Sequence, residues 1–366
     1  MKKIIVISAI NFRSGGPLSI LHDLVNYLDT NLSSTYRIIV LVHSKSVAPN
    51  TKNIDYIEFP KSVKSYLFRF YYEYFYFNKL SIKFKPYLWL SLHDVTPRVN
   101  TKIQAVYCHN PSPFYNLSKK EFYLDKSFTF QKFLYKYIYR ININRNNFVI
   151  VQQNWIKDEF KKMFGLKNII VANPSIDIRF NNKSKKIKNK KKIFFYPSFP
   201  RIFKNFDVLC DSVNLIDKKY HDKFELLITI SGSENKYSNM IYKKFKNLKN
   251  IKFIGLQTRK KVFEIYQKSD CLIFPSKLET WGLPLSEYKL FKKPIIVSDL
   301  PYAHETVGNY DKAKFFKPDD KKMLSKFIVD FLNDKLVYDN NVTIKKKKLF
   351  SSSYEQLFKI LLRNRV

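Results

Sequence analysis

Residues 271–299 read Cys-Leu-Ile-Phe-Pro-Ser-Lys-Leu-Glu-Thr-Trp-Gly-Leu-Pro-Leu-Ser-Glu-Tyr-Lys-Leu-Phe-Lys-Lys-Pro-Ile-Ile-Val-Ser-Asp. Short apolar runs open and close the stretch, at Cys271–Phe274 and Ile295–Val297, and both read as buried strands. The connection between them carries two carboxylates, Glu279 and Glu287, with seven residues between them. The first falls in the loop that leaves a strand, and the second in a helix that begins near Leu283-Pro284. Proline suits the first turn of a helix, where a missing N–H costs nothing. Free amides around Trp281, Gly282 and Leu283 then point out of a helix N-terminus, an arrangement that favours anions. One acid beside an anion site and another further along suit a diphosphate flanked by hydroxyl-bearing rings, such as a nucleotide sugar. The alternative is a carboxylate that complements the helix dipole followed by a solvated Glu.

Short strands alternate with helical patterns along the whole chain, the signature of parallel sheets built from βαβ units. Strand-like runs occur at Ile4–Ile7, Ile38–Val42, Leu88–Leu92, Ile103–Tyr107, Phe148–Val151 and Ile169–Val171. The spacing predicts helices over Pro17–Leu28 and Phe130–Ile141. The lysine-dense run Lys183–Lys192 interrupts the alternation and reads as a solvated linker. Strands then resume at Ile193–Tyr196, Leu226–Ile230 and Ile251–Phe253, ahead of the pair already quoted. Two successive α/β domains follow, with ligands expected at the carboxyl ends of their strands and in the cleft where the domains face each other. Ser353-Tyr-Glu-Gln356 is a capping box that opens a last helix. Gly15, Gly16, Gly232, Gly255 and Gly282 stand at strand ends, where a backbone without a side chain lets a ligand approach or simply makes a tight turn. Gly-x-Gly-x-x-Gly is absent, which argues against a nicotinamide-type dinucleotide site.

At 366 residues and 45% apolar content, the chain is long enough for two ordinary domains. A formal charge of +36 calls for anionic surroundings: a membrane leaflet, nucleic acid or phosphorylated small molecules. The accompanying richness in Lys, Asn, Ile, Phe and Tyr can follow from genome composition, so charge alone selects no partner. No basic–aromatic recognition motif is present, and nucleic acid is not expected as a partner. Cys108, Cys210 and Cys271 form no Cys-x-x-Cys pair, which fits a reducing compartment. Met1-Lys-Lys and the apolar run to Ile10 lead into Asn11-Phe-Arg-Ser-Gly-Gly with no small-residue cleavage site, so they read as a first strand rather than a signal peptide. No run approaches the roughly 20 apolar residues of a membrane span. A cytoplasmic protein is expected, with attachment to the inner face of the plasma membrane as an option. That option rests on Tyr66–Phe77, whose aromatic residues suit either a bilayer interface or a core helix.

The segment Phe274–Glu287, with Pro294–Asp299 and His304-Glu305, resembles the Glu-x7-Glu region of glycosyltransferase family 4. Gly15-Gly16, Val149–Lys157, Gly255-Leu-Gln257, Ile265–Asp270 and the basic Arg201-Ile-Phe-Lys-Asn205 are similar to further parts of that family. The resemblance runs nearly end to end. It departs at Pro174, where the family has glycine after Asn173, and at Lys292-Lys293, where glycine normally ends the helix.

What the resemblance implies is a GT-B fold of two Rossmann-like domains across a cleft. Residues 1–182 would form the acceptor side, 183–350 would bind the donor, and a helix at 351–366 would pack on the first domain. It implies a retaining hexosyl- or deoxyhexosyltransferase acting in O-antigen, capsule or related polysaccharide synthesis. The donor would be a UDP-, GDP- or dTDP-sugar and the acceptor a saccharide or lipid-linked oligosaccharide. Glu279 would approach the transferred sugar and Glu287 the ribose hydroxyls. Trp281, Gly282 and Leu283 would contact the sugar or its phosphate, and Gly255, Leu256 and Gln257 would lie near the base. Gly232 would allow close approach of the donor, His109 would stand near the donor sugar, and Gly15 and Gly16 would shape the acceptor side. Asp-x-Asp is absent, so no metal or other cofactor is expected, and Arg201 and Lys204 are the cations expected to neutralise the leaving diphosphate. A nucleotide-sugar epimerase of the same fold, or a basic nucleic-acid-binding protein, is the alternative.

Overall fold

The computed structural model of the chain describes residues 2–13, 15–174, 191–339 and 349–362. Fourteen strands appear in them. The first seven are β1 (Lys3–Ser8), β2 (Tyr36–Val42), β3 (Ile54–Glu58), β4 (Leu88–Ser91), β5 (Ile103–Tyr107), β6 (Phe148–Val151) and β7 (Ile169–Ala172). The rest are β8 (Lys192–Tyr196), β9 (Phe224–Ile228), β10 (Ile251–Phe253), β11 (Cys271–Phe274), β12 (Ile295–Ser298), β13 (Ala313–Phe316) and β14 (Phe350–Ser351). They form two sheets, ordered β14-β7-β6-β5-β4-β1-β2-β3 and β10-β9-β8-β11-β12-β13. Every pairing in both is parallel.

The central strands are continuous apolar runs because both faces of a parallel sheet are covered. Ile5, Val6, Ile7, Leu88, Trp89 and Leu90 are fully buried, as are Leu272, Ile273, Ile295 and Ile296. The strands that periodicity did not single out, β3, β13 and β14, are all edges. An edge strand is covered on fewer sides, so Ile54-Asp-Tyr-Ile-Glu and Ala313-Lys-Phe-Phe mix charged with apolar residues. The lysine-dense linker expected at Lys183–Lys192 lies outside the described residues, except for Lys191 and Lys192.

Contacts divide the chain into two compact units. One comprises residues up to Phe114, Lys132 to Pro174, and 349–362; the other comprises Tyr115–Gln131 and 191–339. Tyr115–Gln131 lies inside the 1–182 domain drawn from the sequence, yet it groups with the second unit. The reason is local packing: the rings of Phe128 and Tyr115 lie 4.7 and 6.3 Å from Phe203. The C-terminal helix, Tyr354–Leu362, groups with the first unit. Its buried Leu357, Phe358 and Leu361 join a core with Ile20, Leu21 and Leu24 of the helix Gly15–Asn31.

The aromatic stretch forms a helix broken by a π turn: Tyr66–Tyr71, then Tyr72–Tyr76, then Phe77–Phe84. Its inner side sends Tyr72 and Phe77 against Phe59 and Trp89. Its outer side leaves Tyr66, Leu67, Phe70, Tyr71 and Phe75 exposed.

Leu361 is fully buried, and its truncation to alanine is expected to cost about 2–5 kcal/mol, the range for a core leucine. Urea unfolding of Leu361→Ala should show that loss, whereas exposed Lys359→Ala should stay within about 0.5 kcal/mol. Equal effects would mean that the last helix is not part of the first core.

Candidate functional site

In the second unit, β8 and β11 are neighbours, and strand order runs away from them in opposite directions. The loops that follow such a pair lie side by side at the carboxyl edge of the sheet, where ligands of open α/β sheets bind. Arg201 and Lys204 occupy the first loop, and Glu279 and Trp281 the second. Asn205 ties the loops together, with a left-handed backbone (φ 60°) and an amide that donates to the carbonyls of Pro275 (3.1 Å) and Pro318 (2.7 Å). The amide of Lys277 donates to the carbonyl of Phe203 at 2.7 Å, and the Tyr196 hydroxyl holds the Lys204 carbonyl at 2.9 Å.

This stitching brings the Lys204 ammonium directly onto Glu279 Oε1. Both side chains are largely buried, with relative exposures of 17% and 13%. A cation and a carboxylate with little water around them interact more strongly than a surface pair. Arg201 points elsewhere within the unit, donating from Nη1 to both oxygens of Asp125 at 3.1 and 3.3 Å.

Gly282 (φ 82°) caps the helix Leu283–Lys289, with Pro284 in its first turn. A side chain at position 282 would meet Leu285 Cδ1 at 3.2 Å, so both backbone sign and space call for glycine here. Trp281 is anchored on both sides: its indole N–H donates to Ser286 Oγ at 2.9 Å, and its carbonyl accepts from the Thr306 hydroxyl. Glu287 follows on the same helix and is buried. It accepts from the Tyr266 hydroxyl at 3.2 Å and pairs with Arg259 at 3.5 Å. Burial raises its carboxyl above the usual range, with Arg259 and the tyrosine hydrogen bond opposing that rise.

The remaining residues expected from the sequence lie at the ends of β9 and β10. Gly232 (φ 94°) packs against Tyr242, where a side chain would clash at 2.6 Å. Its amide donates to Glu234 at 3.0 Å, so that N–H is already occupied by the protein's own carboxylate. Gly255 (φ 67°) begins a loop in which Leu256 is exposed and the Gln257 amide donates to the carbonyls of Ile254 and Gly255. Arg259, two residues further on, connects the helix that follows this loop to Glu287. Neither it nor Asp125 stood out in the sequence, because a single charge on a helix in a lysine-rich chain carries no spacing signal.

The first unit has an equivalent reversal between β1 and β4. Gly15 (φ 73°) and Gly16 start the helix that follows β1, and an added side chain at Gly15 would meet nothing within 4 Å. His109 follows β5. Its amide donates to Asp94 Oδ1 at 2.5 Å, and that same oxygen accepts from the Tyr139 hydroxyl at 2.9 Å. Phe12 meets the imidazole edge-on at 5.9 Å, and Tyr107 covers it at 4.2 Å. Burial lowers the His109 pKa to about 4, with the Asp94 charge opposing, so the ring is neutral at pH 7. Its Nε2 is buried with no protein partner among the described residues. Close by, His93 Nδ1 donates to the Ser8 carbonyl at 3.0 Å while Nε2 meets Glu73 at 2.5 Å, both residues being buried. Asp94, Glu73 and His93 were missed in the sequence, because Glu73 and His93 stand 20 positions apart and only the fold pairs them.

Among the described residues, no three His, Cys, Asp or Glu side chains gather as a metal site, and no helix is long and apolar enough to cross a membrane.

Comparison with known proteins adds independent findings. The chain is 27% identical over 218 residues to the O-antigen chain mannosyltransferase RfbU of Salmonella typhimurium, covering 56% of each protein. It therefore spans about half the length of that curated relative. Among solved structures, a glycosyltransferase from Rickettsia africae matches with a TM-score of 0.66 at 16% identity, covering 92% of this chain and 90% of the other. Anabaena Alr3699/HepE in complex with UDP matches with a TM-score of 0.62 at 13% identity, covering 91% and 90%. At such identities the likeness speaks for the fold alone. The chain thus has the two-sheet fold of the GT-B glycosyltransferases, and its residues 177–349 match the family model described as Glycosyl transferases group 1.

Proposed function

We propose that the protein is a retaining glycosyltransferase that moves a hexose or deoxyhexose from a nucleoside-diphosphate sugar to a saccharide or lipid-linked acceptor in surface-polysaccharide assembly. The observation that carries this reading is the Lys204–Glu279 pair at the strand-order reversal, with Glu287 on the next helix. The O-antigen relative and the family match of the donor half support the reaction and its setting. The UDP complex of HepE supports a nucleotide-sugar donor, with UDP-, GDP- and dTDP-sugars as the panel to test.

As the bond from the sugar to the diphosphate lengthens, negative charge grows on the leaving group. Arg201 and Lys204 are the cations proposed to receive it, with no metal required. Fixed charge aimed at a developing anion is commonly the largest catalytic contribution. Glu279 would hold a sugar hydroxyl while keeping Lys204 in place, and Glu287 would take the ribose hydroxyls. His109, neutral at working pH, would meet the sugar as a hydrogen-bonding group rather than as a cation. Gly15 and Gly16 would shape the acceptor side, and a side chain added at Gly15 would meet nothing within 4 Å.

The setting we propose is the cytoplasmic face of an anionic membrane. Tyr66, Leu67, Phe70 and Phe75 are exposed at 78, 81, 51 and 55%, and exposed Lys61, Lys64, Lys79 and Lys83 flank them. Aromatic rings suit the bilayer interface, and each cation near anionic lipid contributes about 1 kcal/mol.

Three outcomes are expected. With a labelled donor chosen by thermal shift, Lys204→Met and Glu279→Gln should each lower kcat by about 10²–10³-fold, the usual effect of removing one charge-stabilising group. Isomerised donor formed without acceptor would instead identify an epimerase, and chelator-sensitive turnover would refute the cationic mechanism. The wild-type protein should bind phosphatidylserine vesicles and leave them at high salt, with Leu67→Ser/Phe70→Ser weakening attachment; absent or salt-insensitive binding rejects the membrane setting. For His109, the folded pKa lies below the unfolded one, so its stabilisation is full above about pH 6.5 and declines as pH falls toward 4. The melting temperature of His109→Gln should therefore fall less than that of the wild type across this window, and identical profiles would contradict a buried neutral ring.

A further inference from the structure

Among the described residues, Asp125 is the carboxylate paired with Arg201, at 3.1 and 3.3 Å from Nη1. Its side chain is 9% exposed and that of Arg201 is 27% exposed. The pair is not a chance meeting of surface side chains, because the segment that carries Asp125 is fastened onto the loop that carries Arg201. Phe128 and Tyr115 of that segment pack on Phe203, two residues beyond Arg201. Asp125 is itself fixed as the residue preceding the helix Lys126–Arg140, where its Oδ1 accepts from the amide of Phe128 at 3.0 Å.

We propose that Asp125 is a built-in competitor for the donor diphosphate. It holds the Arg201 guanidinium in the donor-free protein and must yield that cation when a diphosphate arrives. The inference rests on the assignment of Arg201 to the donor diphosphate made above. Asp125 takes both of its bonds from Nη1, so a phosphate that draws on the same nitrogen competes with it and meets its negative charge. A site whose competent form is only a fraction of the population binds its ligand more weakly by that fraction. The consequence is a threshold: anions of higher charge than a carboxylate displace Asp125 most readily, which favours a diphosphate over a single carboxylate or other monoanion.

Removing the charge of Asp125 should therefore strengthen binding, a direction that a purely structural role would not produce. Asparagine keeps the cap of the following helix, so Asp125→Asn should remain folded. Calorimetric titration with inorganic pyrophosphate, UDP and GDP should show about fivefold tighter binding to Asp125→Asn, matching a coupling near 1 kcal/mol for a partly exposed pair. Asp125→Glu should stay near the wild-type affinity. In an Arg201→Met background, Asp125→Asn should change nothing. Unchanged or weaker binding by Asp125→Asn, while Arg201→Met still weakens binding, would overturn the competition and leave the assignment of Arg201 standing. Wild-type affinity in Arg201→Met would overturn both together.

Discussion

The placement of the candidate donor site follows from the reversal of strand order between β8 and β11. Helical crossovers are right-handed, so chains leaving two neighbouring parallel strands toward opposite edges of the sheet must lie on opposite faces. The loops that lead to them meet at the carboxyl edge, where one brings Lys204 and the other Glu279. Asn205 is the small part on which this depends. Its left-handed backbone turns the first loop back, and its amide closes onto two carbonyls from elsewhere in the unit. Buried carbonyls need donors, so the contact also satisfies groups that would otherwise be costly to leave unpaired.

Charge distribution at the site differs from that of the chain as a whole. The protein carries an excess of 36 positive charges, yet its site cations are individually matched to carboxylates: Lys204 to Glu279, Arg201 to Asp125 and Arg259 to Glu287. In a chain so rich in lysine, an unmatched cation on the surface is ordinary; Lys204 and Arg201 are matched and partly buried, whereas Arg259 is matched but exposed. Pairing fixes the direction of a long side chain before any ligand is present, which lowers the ordering cost of binding.

The first unit concentrates buried polar groups at its own strand-order reversal. Glu73 and His93 meet beneath the π turn, Asp94 gathers the His109 amide and the Tyr139 hydroxyl, and His109 Nε2 and Glu73 Oε2 are left without protein partners among the described residues. Leaving such groups unpaired inside a core is costly, so they are usually retained where something else uses them. The π turn belongs to the same pattern, since it shifts helical register to put Glu73 inside and Phe75 outside.

The amino-acid sequence made legible the alternation of strands and helices, the two α/β sheets, the strand-end positions of Glu279, Arg201, Lys204 and His109, and the place of Glu287 in the helix that follows. These are local matters: an apolar run, a proline at a helix start and a glycine after a strand act over a few residues, and their spacing can be read directly. Edge strands such as β3 and β13 were hidden because partial covering removes the apolar signal. Folding is what joins Tyr115–Gln131 to the second unit, sets Asp125 against Arg201 and sets Glu73 against His93. Each of those contacts joins residues tens of positions apart, through ring packing on Phe203, a hydrogen bond or an ion pair, and none of these leaves a periodicity along the chain. Packing brings such partners together, and only the folded arrangement names them.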